Sequence, residues 1–536
     1  MKKIFNIFNN ISQYNIVLIF ILVLSLFFRV FLINKVPPSL SNDEVVYAYD
    51  AFSLAKTGKD VLGRQFPLSF IADQKVPFVP IYIMAFFLVF LPLNIFTVKL
   101  PFIISGVIVV LLTYKLAKAL FNSSKIGIIS AALMAISPWH LQISRTAYEI
   151  NFALLFYILA ILLFFRKRIF LSLIPFFLAY HSYQGTKIIL LPLVILLAWY
   201  HKNFFKNNRK KLFLFLSGTI LIFFSFYFIG KNNQGLERID QLIFFNQDEA
   251  AQFVNYERRT SSASILVKKI FNNKGLYYFR MVKEKYFAYF NFLFNNGEQS
   301  GLYSLWFRGN QYLIDLLFLI SGCYFLYKNN KKRFYFLIAA ILVTTLPSIL
   351  AAGKISFGTR SLVSLPFLII ILSVGIFNFF KKNNKNKVIL LAIIYLCFFS
   401  SFFYQYYYRY PIYSAENWYY SDQKAVEFII NKKNKRDKII ITHSNASLIL
   451  RYAFTKKLNP QIIQKVFKRD SDVVFENLEF VGGCPNKGKG DPLVFLPENS
   501  ILLTKWDWDC YKEAKASKEI RALDDNRIIW RTYEKD

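Results

Sequence analysis

The sequence predicts an all-α polytopic membrane protein that ends in a small α/β domain. Apolar residues fill 55% of the 536 positions and come in long blocks, Lys and Arg cluster between the blocks, and the chain after about residue 410 becomes polar. A bilayer core about 30 Å thick needs about 20 apolar residues per helix. Only helices and closed barrels satisfy the backbone in lipid, and these blocks are too long for barrel strands.

The first block, Tyr14–Asn34, follows Lys2 and Lys3 and has no small-residue cleavage site after it. We therefore expect an uncleaved first span instead of a signal peptide.

The net charge of +34 would favour a nucleic-acid partner in a soluble protein. Here the basic residues occupy short loops, with two apolar blocks between consecutive basic loops, and such loops stay cytoplasmic. The pattern predicts no nucleic-acid partner, a multi-pass protein of the cell (plasma) membrane, a cytoplasmic amino terminus and an extracytoplasmic carboxy terminus. The eleven predicted spans are Tyr14–Asn34, Phe96–Lys118, Ile126–Leu141, Asn151–Phe165, Ile169–His181, Lys187–Tyr200, Leu212–Ile229, Gln311–Leu326, Phe334–Ala352, Ser361–Phe380 and Val388–Tyr407.

One further apolar block, Val76–Leu93, would invert every later loop if it crossed the membrane. It contains Pro77, Pro80 and Pro92, and we expect a re-entrant or interfacial helix on the outer side. The alternative is a twelfth span, which would put the later basic loops outside, against the charge rule.

This topology divides the chain into a transmembrane domain, residues 1–409, and an extracytoplasmic α/β domain, residues 410–536. The transmembrane domain carries outer loops at residues 35–95 and 230–310, and the second loop has a helical pattern over Ile265–Phe294. In the tail we expect helices at Ala415–Asn431 and Ala446–Phe454 and strands at Lys438–His443, Leu493–Leu496 and Ile501–Leu503.

The four cysteines fit this arrangement. Cys323 and Cys397 fall within predicted spans and are expected to be inert. Cys484 and Cys510 fall in the extracytoplasmic tail, where a disulfide is chemically permitted. Their separation in space is unknown from sequence, so pairing and free thiols both stay open.

Three acids lie in the predicted outer loops. Asp43 and Glu44 form an adjacent pair just after the first span, and Glu149 lies in the next outer loop. Carboxylates that meet at the membrane surface can deprotonate an acceptor hydroxyl or hold a divalent cation, with Glu149 joining Asp43 or Glu44. The alternative is that they are solvated loop acids.

Five basic residues on the outer side are not explained by topology: Lys75, Arg145, Lys187, Lys354 and Arg360. A phosphate at the membrane surface would explain them, because its oxygens accept strong charge-assisted bonds from Arg and Lys. Contact with lipid headgroups by snorkelling is the alternative for each residue taken alone.

These residues stand in motifs whose order and spacing resemble one family. The motifs are Asn42-Asp43-Glu44-Val-Val-Tyr47-Ala48, Gln74-Lys75-Val-Pro77, Phe96-Thr-Val-Lys99-Leu-Pro101, Arg145-x-x-x-Glu149-x-Asn151, Tyr183-Gln184-Gly-Thr-Lys187 and Gly358-Thr-Arg360-Ser-Leu. They resemble elements of the membrane glycosyltransferases with the C-type fold, in the branch of protein O-mannosyltransferases and aminoarabinose transferases. The resemblance covers about Ile16 to Tyr407. Gln74 and Lys99 depart from the pattern, since an acid and an arginine are usual there.

The resemblance implies a GT-C-like fold and an inverting transfer of a hexosyl or pentosyl residue from a polyprenyl-phosphate sugar. The acceptor would be a protein, a lipid or an envelope glycan. Asp43 and Glu44 would be the catalytic acids, with Asp43 as general base. No nucleotide or redox cofactor is implied, and a divalent cation at Glu149 is optional. The residues that would bind substrate and phosphate are Lys75, Arg145, Tyr183, Lys187 and Arg360.

Two other classes remain open. A lipid or polysaccharide flippase would favour charges near the middle of the membrane and paired halves, which this sequence lacks. An envelope-glycan polymerase or ligase would also carry large outer loops and outer arginines. The Asp43-Glu44 pair favours the transferase.

Overall fold

The computed structural model describes residues 13–70, 76–231, 247–298, 300–351, 356–380, 385–467, 472–485, 490–509 and 511–536. Most of these residues are helical. In chain order the helices are α1 Gln13–Val30, α2 Asn42–Thr57, α3 Phe78–Phe90, α4 Ile95–Phe121, α5 Ser124–Ile136, α6 Pro138–Ile143, α7 Ile150–Phe165, α8 Leu173–Tyr180, α9 Leu190–Tyr200, α10 Lys202–Lys206, α11 Arg209–Lys231, α12 Gln247–Arg259, α13 Ile265–Phe271, α14 Lys274–Phe294, α15 Asp315–Asn329, α16 Lys331–Ile349, α17 Phe357–Arg360, α18 Leu365–Phe379, α19 Lys385–Tyr404, α20 Tyr410–Tyr413, α21 Tyr420–Lys432, α22 Ala446–Lys456, α23 Pro460–Val466 and α24 Pro492–Phe495.

The strands are few and short. They are β1 Ser69–Phe70, β2 Val76–Pro77, β3 Lys438–Ile441, β4 Val473–Phe475, β5 Leu478–Phe480, β6 Ser500–Lys505, β7 Lys518–Arg521 and β8 Ile528–Lys535.

A helix lies at each of the eleven predicted spans. Within the described ranges, six helical segments are long and apolar enough to cross a membrane on their own: Gln13–Val30, Ile95–Phe121, Arg209–Tyr227, Lys331–Ile349, Leu362–Phe379 and Lys385–Tyr413. The helices at the other predicted spans are shorter or less apolar, and the total of eleven spans stays a prediction.

The block expected to be re-entrant forms the 13-residue helix α3. At 1.5 Å per residue it is about 20 Å long, shorter than a hydrocarbon core. The re-entrant interpretation stays a prediction, because helices at several predicted spans, such as the 11-residue α9, are as short.

The described residues cluster into two compact units. Unit 1 comprises Met1–Phe28, Ser105–Ile143 and Ile150–Leu396, and unit 2 comprises Arg29–Ile104, Ser144–Glu149 and Cys397–Asp536. By packing, the tail therefore belongs with the predicted first outer loop. The domain boundary after residue 409 stays a prediction based on topology.

The core of unit 1 lies around α18, which is buried over most of its length. Two glycines let α15 approach it closely. A Cβ at Gly322 would lie 2.2 Å from the Ile371 carbonyl oxygen, and one at Gly375 would lie 2.1 Å from that of Phe318. Small residues at helix contacts serve this purpose in membrane proteins, where van der Waals packing drives association.

The tail of unit 2 contains a six-stranded mixed sheet in the order β4-β5-β3-β6-β8-β7. The central strand β3 is parallel to β5 and β6, with Ile439 opposite Leu478 and Ile501, and the remaining pairs are antiparallel. Three consecutive isoleucines suit a central strand that is covered on both faces.

Most of the tail elements agree with the expectation from sequence, but one does not. The segment expected to be a strand at Leu493–Leu496 is the helical turn α24, which begins when the Asp491 side chain accepts a hydrogen bond from the Leu493 amide. Pro492 at the first helical position favours this start.

Cys484 takes part in a disulfide, and Cys323 and Cys397 are free. Cys510 lies outside the described residues, so its pairing with Cys484 stays a prediction.

Candidate active site

Glu44 is held by the backbone at the start of α2. Ser41 and Glu44 form a capping box, in which the Ser41 side chain accepts from the Glu44 amide and Glu44 Oε2 accepts from the Ser41 amide at 2.8 Å. Glu44 Oε1 accepts from the Ala147 amide at 2.6 Å, and the side chain is fully buried. Both oxygens thus bond to backbone amides, and the catalytic role predicted for Glu44 beside Asp43 stays a prediction.

Asp43 and Glu149, the two other predicted acids, are half-buried. Glu149 Oε1 accepts a hydrogen bond from the Tyr47 hydroxyl at 3.0 Å. Tyr47 lies one helical turn after Asp43 in α2. Glu44 and Tyr47 of α2 therefore hold the segment Ser144–Glu149 at both Ala147 and Glu149.

Arg145 is fully buried and bonds to the chain itself. Its guanidinium donates to the carbonyl oxygens of Arg29 at 2.9 Å, Phe31 at 2.8 Å and Val36 at 2.7 Å. It also lies over the ring of Tyr407, 4.9 Å from the centroid. The charge of Arg145 thus stabilises carbonyl groups at and after the end of the first helix, and its predicted binding of a phosphate stays a prediction.

Lys99 is also fully buried in unit 2, and its Nζ has no hydrogen-bond partner within the described ranges. Glu44 lies within electrostatic range of this ammonium group. The buried carboxylate and the buried cation therefore offset each other's charge.

Sequence reasoning missed Arg451, which reaches from helix α22 of the tail to the loop just before Asp43. Its guanidinium donates to Ser39 Oγ at 3.0 Å, the Leu40 carbonyl at 2.8 Å and Asn42 Oδ1 at 3.1 Å. Burial lowers the pKa of Arg451 to about 10, so it remains charged at neutral pH. The available signal was an arginine on the apolar face of a short amphipathic helix.

Two further contacts join the tail to α2. The Tyr49 hydroxyl donates to the Leu458 carbonyl at 3.0 Å, and Gln464 Nε2 donates to Ser53 Oγ and Thr57 Oγ1, each at 2.9 Å. Helix α2 is thus supported from the tail along its whole length.

Asp50 of α2 is a second acid that sequence reasoning missed. It is fully buried, and its Oδ1 accepts from the Val61 amide at 3.1 Å. Burial raises the pKa of its carboxyl group to about 8. It shapes the loop after α2 and does not join the predicted acidic set.

Unit 1 contains a cavity of about 260 Å³ whose walls are mainly apolar. Two of the predicted phosphate-binding residues, Lys187 and Arg360, line this cavity. Tyr183 directly precedes the turn Gln184–Ile189 that carries Lys187, with its ring against Gly185. The apolar residues of the wall include Tyr180, Ile188, Phe223, Phe226, Pro347 and Leu350.

The two cations of the cavity have different surroundings. Lys187 Nζ lies over the rings of Phe226 and Tyr180, 3.5 Å and 5.4 Å from their centroids. Arg360 has a buried Nη1 with no hydrogen-bond partner in the described part of the chain. An apolar cavity with two cations suits an amphiphile that has an anionic head.

Other predicted site features fall outside these contacts. Lys75 and Lys354 lie outside the described residues, as does Gln74.

Within the described ranges, no three His, Cys, Asp or Glu side chains converge as a metal site. A divalent cation held by Glu149 with Asp43 or Glu44 stays a prediction, and carboxylates together with substrate phosphate are a ligand set that suits Mg²⁺.

The comparison with known families agrees with the motifs. Residues 75–228 match the family model of dolichyl-phosphate-mannose-protein mannosyltransferases. No curated protein sequence matches the chain.

Solved structures extend the similarity to the whole chain. ArnT from Cupriavidus metallidurans bound to undecaprenyl phosphate is 12% identical, with 97% of both chains covered and a TM-score of 0.53. The apo form of that protein is 11% identical, with 93% of both chains covered and a TM-score of 0.51. An oligosaccharyltransferase from Archaeoglobus fulgidus, in complex with Zn and sulfate, is 12% identical over 91% of this chain and 68% of its own, with a TM-score of 0.49.

The family match and the ArnT fold confirm the predicted resemblance to the C-type-fold membrane glycosyltransferases.

Proposed function

We propose that this chain is an integral-membrane inverting glycosyltransferase. It moves a hexosyl or pentosyl residue from a polyprenyl-phosphate sugar to a protein, lipid or envelope-glycan acceptor on the outer face of the cell membrane. The observation that carries the proposal is the apolar cavity lined by both Lys187 and Arg360.

The cavity suits the donor in two respects. Its aromatic and aliphatic wall suits a polyprenyl chain, and its cations suit a phosphate, since charge-assisted bonds to phosphate are strong. A neutral lipid would bring no anionic group to these two cations. Undecaprenyl phosphate, the ligand of the structurally similar ArnT, has this chemistry.

Asp43 is the proposed general base. It takes the proton of the acceptor hydroxyl while that oxygen forms a bond to the anomeric carbon, on the face opposite the phosphate. The bond between the anomeric carbon and the phosphate oxygen breaks, and its electron pair leaves with the polyprenyl phosphate. Lys187 and Arg360 stabilise the charge that grows on the phosphate.

Glu44 and Arg145 take supporting roles in this proposal. Glu44 holds the segment that carries Glu149, and Arg145 holds the chain after the first helix. Glu149, with Asp43 or Glu44, would hold a divalent cation, which would supply positive charge to the phosphate.

The proposal is tested with purified protein and a panel of polyprenyl-phosphate sugars, by measuring sugar transfer and release of polyprenyl phosphate. We expect Asp43→Asn to lower the rate by at least about 10²-fold, the contribution typical of a general base. Glu513→Gln, an exposed acid of the tail, is the matched control and keeps full activity.

Two results would contradict the proposal in different ways. Full activity of the Asp43→Asn variant would remove Asp43 as the base while leaving the reaction class intact. No turnover of any donor by folded protein would favour the polymerase or flippase classes.

A further inference from the structure

Arg360 lies at the end of the very short helix α17, Phe357–Arg360. A helix of four residues has little stability of its own, because helix nucleation is unfavourable. The position of Arg360 at the cavity must therefore depend on contacts that hold this turn from outside.

Those contacts converge on the peptide groups of Gly358. Glu298 Oε1 accepts from the Gly358 amide at 2.8 Å, and Trp139 Nε1 donates to the Gly358 carbonyl at 2.7 Å. Both partners come from segments distant in sequence. Glu298 and Trp139 therefore hold the turn through the amide and the carbonyl group of Gly358, two residues before Arg360.

The space around Gly358 is too small for any other residue. A Cβ there would lie 2.6 Å from Tyr303 Cβ and 2.9 Å from the Tyr303 carbonyl oxygen. Because one of these contacts is backbone, it cannot be relieved by rotating a side chain. The close fit keeps the peptide at hydrogen-bonding distance from Glu298.

We infer that Glu298 is a positioning residue for the donor-phosphate site: with Trp139 it clamps the Gly358 peptide and so fixes the turn that brings Arg360 to the cavity. This inference rests on the proposed function, since it assigns Arg360 to the donor phosphate. Glu298 does not touch the donor and acts through Arg360.

The electrostatic surroundings of Glu298 support this role. Burial raises the pKa of its carboxyl group to about 7, while the Gly358 and Phe357 amides, Ser356 and the Arg360 charge lower it. A second cation nearby, Lys285 of α14, donates to the Ala351 carbonyl at 2.7 Å and interacts with Arg360. Glu298 is thus the acid whose charge offsets the charges of Arg360 and Lys285.

The raised pKa sets the sign of a pH effect. Below pH 7 the Glu298 carboxyl group is mostly neutral, and no carboxylate there offsets the attraction of Arg360 for an anion. Above pH 7 the carboxylate competes with the bound phosphate for Arg360. We therefore expect phosphate affinity to fall as pH rises from 6 to 8, by about two- to fivefold for a partly screened charge.

The test is binding of undecaprenyl phosphate to purified full-length protein in detergent, with wild type, Glu298→Ala, Glu298→Gln and Arg360→Ala. Glu298→Ala removes the acceptor of the Gly358 amide, and we expect affinity to fall by about tenfold, the effect of one buried hydrogen bond. Glu298→Gln keeps an acceptor oxygen and is expected to restore most of the affinity. Glu284→Ala, an exposed acid on α14, is the matched control and should bind as wild type does.

The pH profile is the second readout. The difference between wild type and Glu298→Gln should grow between pH 6 and pH 8, and titration of the ligand itself cancels in this comparison. Trp139→Phe, which removes only the other side of the clamp, should weaken binding without changing the pH profile.

The outcomes separate the two proposals. If Arg360→Ala binds undecaprenyl phosphate as wild type does, the assigned role of the cavity fails. If Arg360→Ala weakens binding but Glu298→Ala does not, the positioning role alone is wrong. Equal losses in Glu298→Ala and Glu298→Gln at pH 6 would also overturn the positioning role, because the amide keeps the hydrogen bond.

Discussion

At the scale of single residues, neighbouring charged groups of similar sequence context have different roles. Asp43 and Glu44 are adjacent, yet Glu44 bonds to two backbone amides while Asp43 lies half-buried beside it. A carboxylate whose two oxygens each accept from a backbone amide stabilises the local fold. We therefore propose Glu44 as a supporting acid and Asp43 as the candidate base.

This division predicts opposite results for two conservative variants. Glu44→Gln places an amide nitrogen against a backbone amide, and we expect stability to fall by about 1–3 kcal/mol because one buried donor loses its partner. Hydrogen exchange at the Ser41 or the Ala147 amide, whichever loses its acceptor, should become faster as well. Asp43→Asn should lower activity by at least about 10²-fold and change the melting temperature and this exchange much less than Glu44→Gln does. Slow exchange at both amides in Glu44→Gln would contradict the assignment.

At the scale of elements, α2 is held in place mainly by the tail. Helix α22 contributes Arg451, which bonds to three groups between Ser39 and Asn42, and α23 contributes Gln464. The chain that leads into α2, just before Asp43, thus takes its conformation from residues about 410 positions later in the chain. We propose that Arg451 is a positioning residue for Asp43.

Arg451→Lys tests this link, since it keeps the charge but loses the planar guanidinium whose two terminal nitrogens reach these acceptors. We expect kcat to fall about tenfold, with KM for the donor little changed, because loss of charge-assisted bonds misplaces the base. Tyr49→Phe, which removes another bond between the tail and α2, is the control and should keep kcat. A normal kcat with a lowered melting temperature would mean that Arg451 serves stability alone.

At the scale of the whole molecule, the charge pattern predicts the orientation of the chain. If the basic loops face inside, the tail and the residue 35–95 loop lie on the extracytoplasmic side. The proposed chemistry requires this side for the acceptor. The predicted topology and the proposed chemistry therefore both depend on one measurable property, the side of the membrane on which the tail lies.

Single exposed cysteines measure that orientation. With the free Cys323 and Cys397 replaced by alanine, we expect Glu513→Cys in the tail to react with a membrane-impermeant maleimide in intact cells. Lys328→Cys, between two predicted spans in a basic loop, should react only after the cells are opened. The reverse pattern would invert the topology and exclude an outward-facing Asp43.

The sequence by itself determined the membrane class, a helix at each of the eleven predicted spans and the resemblance to C-type-fold glycosyltransferases. These depend on apolar length, loop charge and short motifs, which are local properties of the chain. Element ends were predicted less well where a few side chains decide them. The pattern over Ile265–Phe294, for example, is two helices, because Asn273 caps a new start at Lys274.

Only the tertiary structure decided which charged residues support the fold and which line the cavity. Arg145 and Glu44 stand in the same motifs as the candidate site residues, and only the structure shows their bonds to distant carbonyl and amide groups. Arg451 and Glu298 stand in no motif, and their roles follow from contacts with segments far away in sequence. The physical reason is that a buried charge must find polar partners, and those partners are chosen by packing in three dimensions.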